Sequence, residues 1–316
     1  MMKIGIDLGG TFIKAGITDD NNNIIISGKA PTGLPCPAEQ VAENCAALVT
    51  QLVADAGLTF SDISWIGAAV PGAVNCDEGI IEFANNLGFK DVPFAKLLRE
   101  RIDLPVYVGN DANIAAYGEY IKSEEKYTSF VFITLGTGLG GGIIIDGKIY
   151  TGFNYAGAEL GHIVIAKDGV QCSCGRKGCW ECYSSTNALI RMTKERMEGN
   201  SDSILWKLAE GDLEKVDGKV IFTAVAEGDE TAQAALDEFL EYLACGVGSV
   251  INIFQPEVLC IGGGISAQHK YLIEPLRKLV AKETYLTSGK KTEIRAATLL
   301  NDAGIIGAAA LGDLYN

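Results

Sequence analysis

The chain has 316 residues, 48% of them hydrophobic, and a formal net charge of −14. That length suggests about two domains with sizeable cores, and the acidic balance argues against nucleic acid or an anionic membrane surface as partner. Five scattered cysteines without a disulfide framework, and Met1-Met2-Lys3 running straight into a strand pattern, give the expectation of a cytoplasmic protein without a signal peptide.

The first thirty residues read as strand, turn, strand, turn, strand: Lys3–Leu8, Phe12–Thr18 and Ile24–Lys29, with Gly9-Gly10-Thr11 at the first bend. An amphipathic helix is expected over Ala38–Ala56. Ile63–Val70 reads as a strand ending at Pro71-Gly72, and Val106–Val108 as another ending at Gly109-Asn110-Asp111, before a helix at Ala112–Ile121. The pattern then restarts. Phe130–Leu135 and Gly140–Ile145 are strands about Gly136-Thr137-Gly138, and Lys148–Thr151 follows a further turn. Although Tyr127 to Ile145 carries no charge over nineteen residues, five glycines and three threonines favour two strands over a membrane helix. Helices are expected at Ser185–Met197, Ile204–Ala209, Gly218–Ala226 and Thr231–Phe254. After these come a strand (Val258–Ile261), the turn Gly262-Gly263-Gly264, a helix near Lys270–Glu283, a strand (Glu293–Ala297) and a last helix, Ala303–Leu314. The restart suggests two domains of one architecture, with a boundary near residues 121–127.

Between these elements lies Glu159-Leu-Gly-His162, then Cys172-x-Cys174-Gly-Arg-Lys-Gly-Cys179-Trp-Glu181. His162, Cys172, Cys174 and Cys179 form a Cys3His set suited to tetrahedral Zn²⁺, and four protein ligands leave no open position, so the expected role is structural. Isolated buried cysteines act as small hydrophobes, and paired ones form disulfides. Neither explains three cysteines within eight residues, ten residues after one of only two histidines.

Gly136-Thr-Gly138-Leu-Gly-Gly141 formally matches a dinucleotide fingerprint, but the loop feeds a strand where that fingerprint needs a helix. What remains is a pair of strand–turn–strand loops, Gly9-Gly10-Thr11 and Gly136-Thr137-Gly138. Glycines there let the backbone approach an anion and aim N–H groups at it, and Thr11 and Thr137 add hydroxyl donors. Two such hairpins suit a triphosphate. Gly262-Gly263-Gly264, between a strand and a helix, suits a nucleotide base or ribose.

Seven motifs in order carry a family resemblance. They are Asp7-Leu-Gly-Gly-Thr11-Phe-Ile-Lys14, Asn110-Asp111-Ala-Asn-Ile-Ala-Ala, Leu135-Gly-Thr-Gly-Leu-Gly-Gly-Gly142, the glutamate–histidine and cysteine motifs above, Ile261-Gly-Gly-Gly-Ile-Ser266 and Asn301-Asp-Ala-Gly-Ile-Ile-Gly307. Over nearly its whole length the chain resembles the ROK family (repressors, open reading frames, kinases), and most nearly its bacterial ATP-dependent glucokinases.

The resemblance implies an α/β actin-like ATPase fold, ribonuclease-H-like and hexokinase-like, with two similar domains and the active site in the cleft between them. The domains are expected at 1–122, joined by a C-terminal helix at 300–316, and at 123–299. It implies phosphorylation of a hexose at its 6-hydroxyl, glucose before other sugars, with ATP, Mg²⁺ and structural Zn²⁺. Asp111 becomes the general base, against the alternative of a helix cap. Asn86, Asn110, Glu159, His162 and Glu181, with Asp111, become the sugar-binding set. Gly9, Gly10, Thr11, Lys14, Gly136, Thr137, Gly138, Gly262, Gly263 and Gly264 become the ATP-binding set, and Asp7 holds Mg²⁺ through water. The other readings are an N-acetylglucosamine, N-acetylmannosamine or other hexose kinase, and a non-catalytic sugar sensor. A homodimer or homotetramer is expected. The repressor branch is not expected, because its members carry an N-terminal helix-turn-helix. Two residues depart on the sugar side: Phe89 stands where tryptophan is common, and Ala69 where many relatives have glycine. Cys182 is an extra thiol, read as a bystander to the metal cluster.

Overall fold

A computed structural model describes residues 1–285 and 288–315. Leu286, Thr287 and Asn316, which fall within the expected second domain and last helix, lie outside the described residues. The chain opens with β1 (Met2–Leu8), β2 (Phe12–Thr18), β3 (Ile24–Pro31), α1 (Ala38–Asp55) and β4 (Ile63–Val70). Three short strands absent from the sequence reading follow, β5 (Ala73–Asn75), β6 (Ile80–Ala84) and β7 (Phe89–Val92), with helix α2 (Phe94–Arg99). Next come β8 (Val106–Asn110), α3 (Asp111–Ile121), β9 (Ser129–Leu135), β10 (Leu139–Ile145) and β11 (Lys148–Ile149). The uncharged stretch is therefore two strands, and among the described residues no helix is long and apolar enough to cross a membrane. The remainder is α4 (Glu181–Ser184), α5 (Thr186–Glu198), α6 (Ile204–Leu208), α7 (Gly218–Ala226), α8 (Glu230–Phe254), β12 (Val258–Gly262), α9 (Ile273–Glu283), β13 (Glu293–Ala296) and α10 (Ala303–Ala309).

The chain forms two compact units, one of Met1–Thr128, Gly142–Ala158 and Thr298–Asn316, the other of Ser129–Gly141 and Glu159–Ala297. In the first, the sheet order is β3-β2-β1-β4-β8, with β1 antiparallel to β2 and parallel to β4. Ile4, Ile6, Leu8, Ile13 and Ile17 join Val41, Cys45, Val49 and Leu52 of α1 in one buried core. The helix buries these four because they recur at helical spacing. Gly16, Gly5 and Gly67 lie side by side across β2, β1 and β4. A Cβ on Gly5 would run into the Ile305 carbonyl, one on Gly67 into that of Ala308, and one on Gly16 into the Ile305 side chain. This row without side chains seats α10, Ala-Gly-Ile-Ile-Gly-Ala-Ala, whose Ile305 lies over Gly16. The expected helix to Leu314 tightens into a 3₁₀ turn at Leu311–Leu314.

In the second unit β9, β12 and β13 run parallel. The 25-residue α8 starts at the Asp229 cap, whose carboxylate accepts from the Ala232 N–H at 2.8 Å. It stops at Gln255 in the left-handed region (φ 44°), and β12 follows, buried along its whole length. Trp180 is fully buried where Gly246 of α8 leaves room for its indole, and its Nε1 donates to the Tyr242 carbonyl at 3.2 Å.

Candidate active site

In the first unit the β1–β2 turn is braced from outside. The Gly9 N–H donates to the Phe12 carbonyl at 3.0 Å, the Thr32 hydroxyl to Gly9 at 2.6 Å and the Thr32 N–H to Thr11 at 2.9 Å. Gly10 and Thr11 are left exposed at the tip. A Cβ on Gly10 would lie 3.6 Å from the Asn86 carbonyl, so the hairpin tip meets the Asn85–Leu87 loop. That loop is a 3₁₀ turn anchored by buried Leu87 and closed by Gly88 at φ 69°. Asn86 is exposed on it.

Asp7 and Lys14 face each other in the β1–β2 register, with Lys14 Nζ 3.5 Å from both Asp7 Oδ2 and Asn301 Oδ1. Burial raises the Asp7 carboxyl above the usual carboxylate range, and the Lys14 charge opposes it. Expected to serve metal and phosphate separately, the two are an ion pair here.

The helix cap falls on Asn110, not Asp111. Asn110 Oδ1 accepts from the Asn113 N–H at 3.1 Å, and its Nδ2 donates to the Gly72 carbonyl at 3.0 Å. Each amide atom retains one further hydrogen-bonding position. Asp111 is the first residue of α3, half-buried, with Oδ1 accepting from the Ala112 N–H at 2.8 Å. A carboxylate there sits where the helix dipole favours negative charge.

In the second unit the backbone of Leu139 organises the acidic residues. Its N–H donates to Glu181 Oε2 at 2.9 Å, and its carbonyl abuts Gly161, where a Cβ would overlap it. Gly161 belongs to the 3₁₀ turn Leu160–His162, so Glu159, His162 and Glu181 are gathered immediately after the Gly136–Gly138 loop. Glu159 is exposed. A Cβ on Gly138 would itself run into the Glu181 carboxylate.

His162, Cys172, Cys174 and Cys179 each place one donor atom within 4.8 Å of the others. Cys172 Sγ lies 3.7 Å from His162 Nδ1, and Cys174 Sγ 3.7 Å from Cys179 Sγ. A tetrahedron with zinc–sulfur bonds of about 2.3 Å has edges of about 3.8 Å, which these two contacts match, so the donor set suits Zn²⁺. Gly175 and Gly178 hold left-handed φ angles of 88° and 79° at the two bends. Burial raises the Cys172 thiol, but hydrogen bonds from the Cys174 backbone and from the thiols of Cys174, Cys179 and Cys182 outweigh it and bring the thiol to about 7, toward the thiolate that metals bind. Nδ1 faces the cluster, which leaves Nε2 as the other ring nitrogen. Cys182 lies outside the four donors, its Sγ 3.8 Å from the Gln171 carbonyl.

The two remaining glycine turns converge. A Cβ on Gly263 (φ 93°) would overlap the Leu135 carbonyl, and Thr186 braces Gly136 with a 2.9 Å N–H bond. Gly136, Thr137 and Gly264 line one cavity of about 720 Å³, with Lys219, Phe222, Thr223, Glu227 and Tyr271. The α7 residues were missed because α7 carries no motif. Their signal is a polar stripe, Lys219, Thr223 and Glu227 at four-residue spacing, opposite buried Ile221, Ala224 and Val225.

Two α/β units, each starting from a strand, glycine turn and strand, define the actin-like ATPase fold class. The ROK family model matches residues 3–313, and the chain belongs to the ROK family. It is 35% identical over 316 residues to a glucokinase of Streptomyces coelicolor, covering 98% of this chain and 97% of that one. Identity to a Thermotoga maritima glucokinase is 35% over 313 residues, 98% of this chain and 96% of that one. Among solved structures, a ROK family glucokinase from Streptomyces griseus in complex with glucose and AMPPNP is similar at a TM-score of 0.84 and 34% identity. That match covers 98% of this chain and 99% of the other.

Proposed function

We propose that this protein is an ATP-dependent glucokinase that transfers the γ-phosphoryl group of ATP to the 6-hydroxyl of glucose. The observation that carries this is its 34% identity, along 98% of its length, to a glucokinase crystallised with glucose and AMPPNP. The residues in both units suit the reaction.

Phosphoryl transfer needs in-line positioning, charge neutralisation and a proton acceptor. Asp111 accepts the proton of the 6-hydroxyl as that oxygen bonds to the γ-phosphorus and ADP departs. In a loose transition state the proton leaves late, which suits a carboxylate base. Asn86, Asn110, Glu159, Glu181 and His162 Nε2 hold the sugar hydroxyls by directional hydrogen bonds. Glu181 has a second role, because one of its oxygens secures the Gly136–Gly138 loop through Leu139. Gly9, Gly10 and Thr11 together with Gly136, Thr137 and Gly138 hold the phosphates, with Lys14 able to leave Asp7 for an anion. The cavity lined by Gly264, Phe222 and Tyr271, beside Gly262 and Gly263, suits the nucleoside. Mg²⁺ bound with ATP would neutralise phosphate charge, and Asp7 would hold it through water. His162, Cys172, Cys174 and Cys179 would hold Zn²⁺, which would supply orientation alone. We read the protein as cytoplasmic and as a homodimer or homotetramer, following the family resemblance.

The test is coupled ADP release across glucose, mannose, fructose, allose, N-acetylglucosamine and N-acetylmannosamine. Glucose should give the highest kcat/KM. Turnover confined to an N-acetyl sugar would reassign the substrate, and sugar binding without turnover would replace the kinase with a sensor. In the same assay Gly138→Ala should lower kcat/KM for glucose at least about tenfold, since its methyl takes the place of the Glu181 carboxylate. An unchanged value would detach that contact from catalysis.

A further inference from the structure

Residues 151–158 close the middle stretch of the first unit and lead directly into Glu159. The Gly157 N–H donates to the Thr151 carbonyl at 2.8 Å, closing the segment into a loop with Phe153 98% exposed at its tip. Two of its residues, Tyr155 (φ 62°) and Ala158 (φ 65°), occupy the left-handed region without being glycine. Side chains disfavour that region, so the conformation does not follow from local preference and needs an external fixed point.

Tyr155 supplies one. Its hydroxyl donates to Asp77 Oδ2 at 2.5 Å. Asp77 lies in the turn between β5 and β6, which is itself immobilised. The Gly79 N–H donates to the Asn75 carbonyl at 2.9 Å, the Ala95 N–H of α2 donates to the Gly79 carbonyl at 3.0 Å, and a Cβ on Gly79 would overlap Ala95. From this turn β6 runs straight to Asn85-Asn86. One hydrogen bond thus joins the sheet that carries Asn86 to the segment that ends one residue before Glu159. The hydrogen bond to Asp77 also pushes the Tyr155 hydroxyl up to about 12.

We infer that Tyr155 and Asp77 are positioning residues for sugar binding, a tether that fixes the chain where it departs toward Glu159. The inference rests on the kinase reading, and it concerns the sugar and not the nucleotide. Neither residue belongs to the motifs that carry the family resemblance, and neither touches the reacting atoms.

The test compares Tyr155→Phe, Asp77→Ala, Asp77→Asn and the double variant Tyr155→Phe/Asp77→Ala, reading glucose KM, ATP KM, kcat, melting temperature and the glucose dissociation constant by calorimetry. Tyr155→Phe and Asp77→Ala should each raise glucose KM and Kd by about tenfold, with kcat and ATP KM within about twofold and the fold intact. Asp77→Asn keeps an acceptor oxygen and should stay within about threefold of the parent. The double variant should be no worse than either single one, as residues acting through one bond require. Glucose affinity unchanged in Tyr155→Phe, or additive losses in the double variant, would overturn the tether. Absence of turnover in the parent protein would instead strike the kinase reading, while the glucose Kd series still decides the tether.

Discussion

Asp111→Asn should lower kcat at least about 10²-fold, the contribution expected of a general base, while the protein stays folded. The structure makes this substitution informative, because the cap of α3 belongs to Asn110. An asparagine at 111 keeps an oxygen for the Ala112 N–H that Asp111 Oδ1 now accepts at 2.8 Å. What it removes is the negative charge and the capacity to take a proton. A loss of kcat with little change in KM for glucose or ATP is the signature of an interaction made in the transition state. Melting temperature measured alongside separates chemistry from folding. Near-normal turnover in the purified variant would take Asp111 out of the base role.

Cys174→Ser should reduce bound zinc from about one per chain to nearly none, and raise glucose KM at least about tenfold, with a smaller effect on ATP KM. Cys174 is exposed, so serine there opens no core cavity, and the effect reports on the metal. Without the ion only the weak 3.7 Å contact to Cys172 Sγ would restrain His162 Nδ1, and the ring would lose the orientation that aims Nε2. Glu159 and Glu181 flank this loop, one just before the His162 turn and the other two residues after Cys179. Elemental analysis and sugar kinetics on the same preparation make the comparison. A metal-free protein with full glucose affinity would contradict the assignment.

The larger elements were legible because their signals are local. Alternation marks β1 and β2, helical spacing of Val41, Cys45, Val49 and Leu52 marks α1, and glycine turns separate β9 from β10. The β5–β7 sheet was not, since three to five residues such as Ala73-Val-Asn75 are too short to show a period of two. The start of α3 moved by one residue, from Ala112 to Asp111, because Asn and Asp are equally good caps and the sequence did not say which of the two would serve. Within the candidate site, the four metal donors were readable from spacing, as all lie within eighteen residues. The Glu181 bond to Leu139 was not, since it spans 42 positions. Nor was the ion pair of Lys14 with Asp7, which depends on the antiparallel register of two strands.

The most direct measurement is product identification by ³¹P NMR after incubating the purified protein with ATP, Mg²⁺ and glucose. A glucokinase yields glucose 6-phosphate and ADP in equal amounts, with no reaction when either substrate is omitted. ADP and inorganic phosphate formed without any sugar phosphate would contradict that assignment.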